Sequence, residues 1–267
     1  MRESQRESRE GQRTTHSRRG RLKNAAIRTF FRVSIGAYLR VRVHGGEQLP
    51  DSAYLICFNH PSWTDPLILI GYWPDQRREI YIFGPRESDM SKGKRNAIIR
   101  WGEHGVPFQP AGRDIVDVTR RATAILQGGG LLAVAGEGRL SDGEGKALPL
   151  QVGVGHFALL AGVPVVPVAI SGTRWIRWGK TVRITIGEPV TLDGLVRGRA
   201  GARQLTDRVQ VSLDALLEGR HDTRRPGPLG RWLSEVFNER PWLTELRGGV
   251  PLTSDHRLAR RRPDGSS

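Results

Sequence analysis

His60 and Asp65 lie five residues apart in the stretch Asn59-His60-Pro61-Ser62-Trp63-Thr64-Asp65, and between them they hold the groups needed for general base catalysis. A carboxylate that accepts a hydrogen bond from one imidazole nitrogen fixes the tautomer and stabilises the imidazolium that forms. The other nitrogen then takes a proton from a hydroxyl. The hydroxyl can be the substrate's own, so no serine of the protein is required. Such a base is worth roughly 10²–10⁴-fold in rate. The same residues admit a plainer reading, with Asp65 only a helix cap and His60 only a loop residue.

The flanking residues say where the pair should sit. Tyr54-Leu55-Ile56-Cys57-Phe58 is an apolar run that reads as a strand, and Pro61, Ser62 and Thr64 read as a tight loop. Asp65 stands directly before Pro66 and Leu67-Ile68-Leu69-Ile70. That order predicts a helix with Asp65 at the N-cap and Pro66 at the first helical position. His60 is therefore expected at the carboxyl end of a strand and Asp65 at the mouth of the next helix. Cys57 could be offered as a nucleophile, but inside an apolar run it reads as a buried strand cysteine.

Strands are expected at 53–58, 79–83, 105–108, 130–135, 163–170 and 180–187. Helices are expected at 66–73, 89–101, 114–127, 151–161 and 201–218. Val-, Ile- and Leu-rich strands alternating with helices predict an α/β fold, a largely parallel central sheet with helices on both faces, preceded by an N-terminal amphipathic helix. Sites in such sheets gather at the carboxyl ends of strands. Phe58 ends one strand just before His60, and Ala135 ends another just before Gly136-Glu137. Gly128-Gly129-Gly130 could cradle a phosphate, but between a helix and a strand it reads as a helix stop.

The spacing Asn59-His60-x-x-x-x-Asp65 resembles the first signature of the glycerolipid acyltransferase family, the lysophospholipid acyltransferase-like enzymes. Further matches follow in the family's order. Gly136-Glu137-Gly138-Arg139-Leu140-Ser141 is similar to the block that usually reads Phe-Pro-Glu-Gly-Thr-Arg-Ser. Val163-Pro164-Val165-Val166-Pro167-Val168 resembles the Val-Pro-rich fourth block, and Gly187-Glu188-Pro189-Val190 a Gly-Glu-Pro segment after it. Gly105 to Arg113 stands in the place of the second block. In that second block Arg113 lies eight residues after Gly105, further than is usual in the family, and the third block departs in two ways. The Phe-Pro pair is absent from Ala135-Gly136-Glu137, and Arg139 follows Gly138 directly, without the family's Thr.

The resemblance implies acyl transfer from a thioester, on coenzyme A or acyl carrier protein, to a lipid hydroxyl. His60 would act as base and Asp65 as its partner, with no metal and no cofactor beyond the acyl-CoA or acyl-ACP co-substrate. The implied substrate-binding residues are Asn59, Arg113, Glu137, Gly138 and Arg139. The two arginines would hold the acceptor's phosphate, because guanidinium matches phosphate bidentately; both could instead be surface ion-pair residues. Glu137 could position Arg139 or touch the acceptor's hydroxyl. Backbone amides within Gly136–Arg139 are candidate oxyanion donors. The leading acceptor implied is 1-acylglycerol 3-phosphate, yielding phosphatidic acid.

The chain has 267 residues and a formal net charge of +15. Residues 1–42 hold 12 Lys+Arg against 3 Asp+Glu, whereas residues 43–219 hold 20 against 18. The basicity belongs to the ends. This argues against a basic groove tracking nucleic acid and for tails that meet another polyanion. Residues 1–22 read as a disordered basic tail, and residues 23–42 as an amphipathic membrane-interface helix with Ile27, Phe30, Phe31, Ile35 and Tyr38 on one stripe. The alternative for this helix is packing on the domain. Residues 43–219 form the expected acyltransferase domain and 220–267 a basic C-terminal extension with one short helix near 229–238. No stretch suits a spanning helix, which needs about 20 apolar residues. The expected place of action is the cytoplasmic face of the cell membrane, bound peripherally to an anionic surface, with acyl carrier protein a possible partner and no nucleic acid. A hydrolase using the same pair, and a catalytically silent membrane scaffold, are the competing readings.

Overall fold

The computed structural model describes residues 18–85, 104–108, 115–141, 145–220 and 227–228. The expected helix 89–101, Arg113, most of the basic tail and the expected helix near 229–238 lie outside the described residues. In chain order the elements are α1 (Arg18–Gly36), β1 (Arg40–His44), β2 (Leu55–Phe58), α2 (Asp65–Tyr72), β3 (Ile80–Pro85), β4 (Gly105–Phe108), α3 (Ile115–Gln127), β5 (Leu131–Ala135), α4 (Gly153–Ala161), β6 (Val165–Ser171), β7 (Thr181–Ile186) and α5 (Arg199–Leu217).

Seven strands make one sheet in the order β1-β7-β6-β2-β5-β3-β4. Every neighbouring pair is parallel except β6 and β7, which run antiparallel. The central strand β2 is buried at all four positions, as expected of a parallel strand covered on both faces. Its side chains alternate between two cores. Tyr54, Ile56 and Phe58 join the core that also holds Ile68 and Leu69 of α2 and Ile27 and Phe31 of α1. Leu55 and Cys57 join the opposite core, with Leu126 of α3, Phe157 of α4 and Leu205 of α5.

This arrangement decides where a site can form. The chain leaves β2 for α2 on one face and leaves the adjacent β5 for α4 on the other. Two neighbouring strands whose exits part to opposite faces open a crevice at their carboxyl ends. His60 follows β2 and Glu137 follows β5, so both stand at that crevice.

The N-terminal helix differs from expectation in extent and in facing. It ends at Gly36, and Arg40–His44 is an edge strand rather than helix. Arg40-Val41-Arg42-Val43-His44 alternates with period two, and β7 supplies the partner it needs. Ile27 and Phe31 are buried against the sheet and α2, with Ile35 and Tyr38 packed beside them, so most of the expected lipid-facing stripe points into the domain. Of that stripe Phe30 is exposed, with Leu22 and Val33. Arg28 fixes the docking. Its buried guanidinium donates to the carbonyl oxygens of Trp73 at 2.7 Å, Asp75 at 3.1 Å and Arg78 at 3.4 Å. The Trp73 carbonyl is the C-cap of α2, so the cation there also complements that helix's dipole.

The glycine run after α3 is a helix stop. Gly128 and Gly130 donate back to Ala124 and Ile125, and Gly129 takes φ +84°.

Candidate active site

The structure brings His60 and Asp65 together. His60 Nδ1 lies 3.1 Å from Asp65 Oδ2, and the same oxygen accepts the Ser62 amide at 2.8 Å. Asp65 is not the N-cap. Thr64 holds that position without a capping side chain, and Asp65 is the first helical residue. The loop turns back because Asp65 N–H donates to Ser62 O, so the carboxylate faces His60 instead of the helix's own amides. The Asp65 side chain has no exposure, while that of His60 is 17% exposed. Burial raises the Asp65 carboxyl pKa above its usual range. The hydrogen bond from His60, the imidazole's charge, the Thr173 hydroxyl and the Ser62 amide pull it back down. With Nδ1–H donating to Oδ2, Nε2 carries the lone pair that can receive a proton. The Phe58 ring meets His60 edge-on at 5.8 Å and backs the imidazole from the strand.

Glu137 is the brace beneath this pair. Its Oε2 accepts the His60 backbone N–H at 3.0 Å, and its Oε1 accepts the Leu148 N–H at 2.9 Å. The His60 carbonyl in turn accepts Ser141 N–H at 2.8 Å. Residues 147 and 150 are themselves held by α5, through Asp214 Oδ1 on Ala147 N–H and Gln210 Oε1 on Leu150 N–H, each 2.9 Å. Glu137 thus ties the loop after β2 to a segment pinned by the last helix. Burial raises the Glu137 carboxyl pKa, opposed by its two backbone donors. Each of its oxygens accepts a backbone amide, so Glu137 serves to hold the loop that carries His60.

Asn59 also works within the protein. Its amide donates to Ile170 O at 3.0 Å and accepts Ile170 N–H at 2.7 Å. It therefore continues the β2–β6 ladder one residue past the last strand pair. Sequence reasoning placed it among substrate contacts, and its buried amide is instead committed to a backbone 111 residues away. Two of the candidate oxyanion amides are likewise spent: Gly136 N–H bonds Phe58 O and Gly138 N–H bonds Ala135 O. Gly138 takes φ +69° in that turn, which favours glycine over any other residue. Arg139 is exposed at the crevice rim, directly after Gly138. Arg113 lies outside the described residues. Thr173, fully buried beside Asp65, was missed; Ser171-Gly172-Thr173 reads only as a turn.

The structure also accounts for the missing Phe-Pro pair. A Cβ on Gly136 would lie 2.6 Å from Cys57 Sγ and 2.7 Å from Leu150 Cδ2. Cys57 is a fully buried free thiol, held protonated by burial, and its sulfur fills the space a side chain at 136 would need. Gly136→Ala is expected to destabilise the fold by about 1–3 kcal/mol through overpacking. Adding Cys57→Gly should recover part of the loss in urea titrations more than additivity allows.

Residues 40–171 match the model of the family described as Acyltransferase. The fold is similar to the crystal structure of the 1-acyl-sn-glycerophosphate (LPA) acyltransferase, PlsC, from Thermotoga maritima, at a TM-score of 0.54 and 22% sequence identity. The match covers 75% of this chain and 81% of that one. No curated protein matches the sequence.

Proposed function

We propose that this chain is a glycerolipid acyltransferase, since its residues 40–171 match the Acyltransferase family and its fold is similar to that of an LPA acyltransferase, and that it moves a fatty acyl group from an acyl thioester to a lysophospholipid hydroxyl. The leading acceptor is 1-acylglycerol 3-phosphate and the product phosphatidic acid. The observation that carries this reading is the His60–Asp65 pair, bonded at 3.1 Å at the mouth of a crevice, with the acid buried and the base open.

In this mechanism His60 Nε2 takes the acceptor's hydroxyl proton as the oxygen attacks the thioester carbonyl. Asp65 holds the tautomer and stabilises the imidazolium. The tetrahedral intermediate collapses with cleavage of the C–S bond, and the imidazolium returns the proton to the leaving thiolate. Ester and free thiol form in equal amounts. Arg139 at the rim and Arg113 are the proposed phosphate contacts.

The proposed setting is the cytoplasmic face of the cell membrane, bound peripherally to an anionic surface. Its support is the outward side of α1, where Leu22, Phe30 and Val33 are exposed, together with Trp178, 76% exposed and edge-on to Tyr38. The net basic charge of residues 1–42 suits such a surface. No helix among the described residues is long and apolar enough to cross a membrane.

The test is incubation with an acyl-CoA or acyl-acyl carrier protein and a panel of lipid acceptors in anionic vesicles. Thiol release and lipid products are followed by mass. Ester on 1-acylglycerol 3-phosphate is expected, matched by released thiol. Ester only on an acceptor that lacks a phosphate would discard the phosphate contacts, and thiol with free fatty acid alone would make the protein a hydrolase. No thiol release from either donor would overturn the proposal.

A further inference from the structure

Asp65 brings two oxygens into a fully buried position, and only one of them is used. Oδ2 takes both the His60 ring and the Ser62 amide, while Oδ1 accepts no hydrogen bond at bonding geometry. Thr173 Oγ1 is in the same condition: buried, and without a bonded partner. An unpaired buried carboxylate oxygen and an unpaired buried hydroxyl are each unfavourable, and together they are complementary.

The topology brings them side by side. β6 runs parallel to β2, with Phe58 opposite Val168. Asn59 then locks onto both backbone groups of Ile170. The loop that carries His60 and Asp65 is thereby joined to the end of β6, three residues before Thr173. Between them, Gly172 takes φ +90°, and a Cβ there would lie 2.7 Å from Thr181 O. The chain can turn there only with glycine, and the turn directs Thr173 inward. The hydroxyl is near enough to act on the carboxyl, which it draws toward the ionised form against the effect of burial.

We propose that Thr173 is a positioning residue for the acyl transfer, its hydroxyl donating to Asp65 Oδ1 and keeping Oδ2 aimed at His60. The carboxylate's terminal torsion is soft and roughly two-fold. Held at Oδ2 alone it can swing, and the imidazole swings with it. A second bond at Oδ1 stops that motion when the imidazolium forms and Asp65 must carry a full charge. The kinetic part of this inference rests on the acyl-transfer reading; the geometric part does not.

Thr173→Val removes the hydroxyl at nearly constant shape, and Thr173→Ser keeps it. Val is expected to lower kcat by about 10- to 100-fold, as for loss of one hydrogen bond to a charged group. KM should stay within about twofold, as for an interaction used in the transition state, and Ser should restore most of the rate. The Asp65 carboxyl carbon, followed by NMR, should titrate at higher pH in Val than in wild type or Ser. The charged groups that face it, His60 from its own loop and Glu137 from the turn after β5, are unchanged in both variants. Wild-type kcat and an unmoved titration in Val would overturn the proposal. So would Ser behaving as Val does, since the methyl group and not the hydroxyl would then matter. If the wild-type protein transfers no acyl group, a titration that still moves in Val alone supports the Thr173–Asp65 bond while the reaction assigned to it fails.

Discussion

His60→Ala is expected to lower kcat/KM for acyl transfer by about 10³-fold or more, and Asp65→Asn by about 10²–10⁴-fold, with membrane binding unchanged in both. The first change removes the base. The second leaves the geometry but lets an amide N–H face Nδ1, which favours the tautomer with its proton on Nε2, where no lone pair remains for the acceptor. The two variants part in stability. Asp65 is fully buried and its pKa is raised in the fold above the ordinary value of 3.8. The folded protein thus binds this proton more tightly than the unfolded chain does. The resulting penalty is fully present above the folded-state pKa. It fades as pH falls through that pKa toward the unfolded value. Asp65→Asn is free of it, so its melting temperature relative to wild type should be more favourable at pH 8 than at pH 5. Calorimetry at the two pH values, beside single-turnover kinetics, checks both halves. Turnover within tenfold of wild type in either variant would remove the pair from the mechanism.

Glu137→Gln should damage both fold and rate. Each Glu137 oxygen accepts a backbone N–H. A glutamine satisfies one and turns its own N–H₂ toward the other. A buried unsatisfied donor costs about 1–3 kcal/mol, and the His60 backbone loses its anchor or the Leu148 segment does. A displacement of about 1 Å at the base can cost roughly 10²-fold in rate. The expected result is a melting temperature several degrees lower, as about 4–8 °C per kcal/mol holds for small domains and less for larger ones, with kcat reduced and KM for the acceptor little changed. A variant with normal melting and normal kcat but a raised acceptor KM would instead return Glu137 to the acceptor-contacting role its motif suggests.

The strands that matter could be read from the sequence because they are apolar runs closed by loop residues. Tyr54–Phe58 before His60 and the run ending at Ala135 before Glu137 needed no other signal, and the α/β architecture followed from their alternation with helices. His60 and Asp65 could be read because both lie in one seven-residue loop. The jobs of Asn59, Glu137 and Thr173 could not. Each is set by a partner far away in sequence: Ile170 for Asn59, Leu148 and the His60 amide for Glu137, Asp65 for Thr173. A polar side chain facing a backbone amide and one facing a substrate look alike in a sequence. The facing of α1 failed for a related reason. Its periodicity showed an apolar stripe, but a stripe suited to lipid is equally suited to α2 and the sheet. Arg28 is the group that fixes the helix on the domain, by donating to the carbonyl just past the end of α2. β1 was hidden because Val41 and Val43 are too few to announce a strand without β7.

The sheet order sets a lower bound on what can fold alone. Residues 40–171, the span shared with the family, include β1 but not β7, and β1 touches the sheet only through β7. That span also omits α1, whose Ile27 and Phe31 cover one core, and α5, whose Leu205 and Val209 cover the other. Excised at those limits, the polypeptide would carry an orphan strand and two bare apolar surfaces. The span matched to the family is therefore smaller than the packed unit, which takes in at least α1 through α5, and any dissection or domain fusion has to keep both helices.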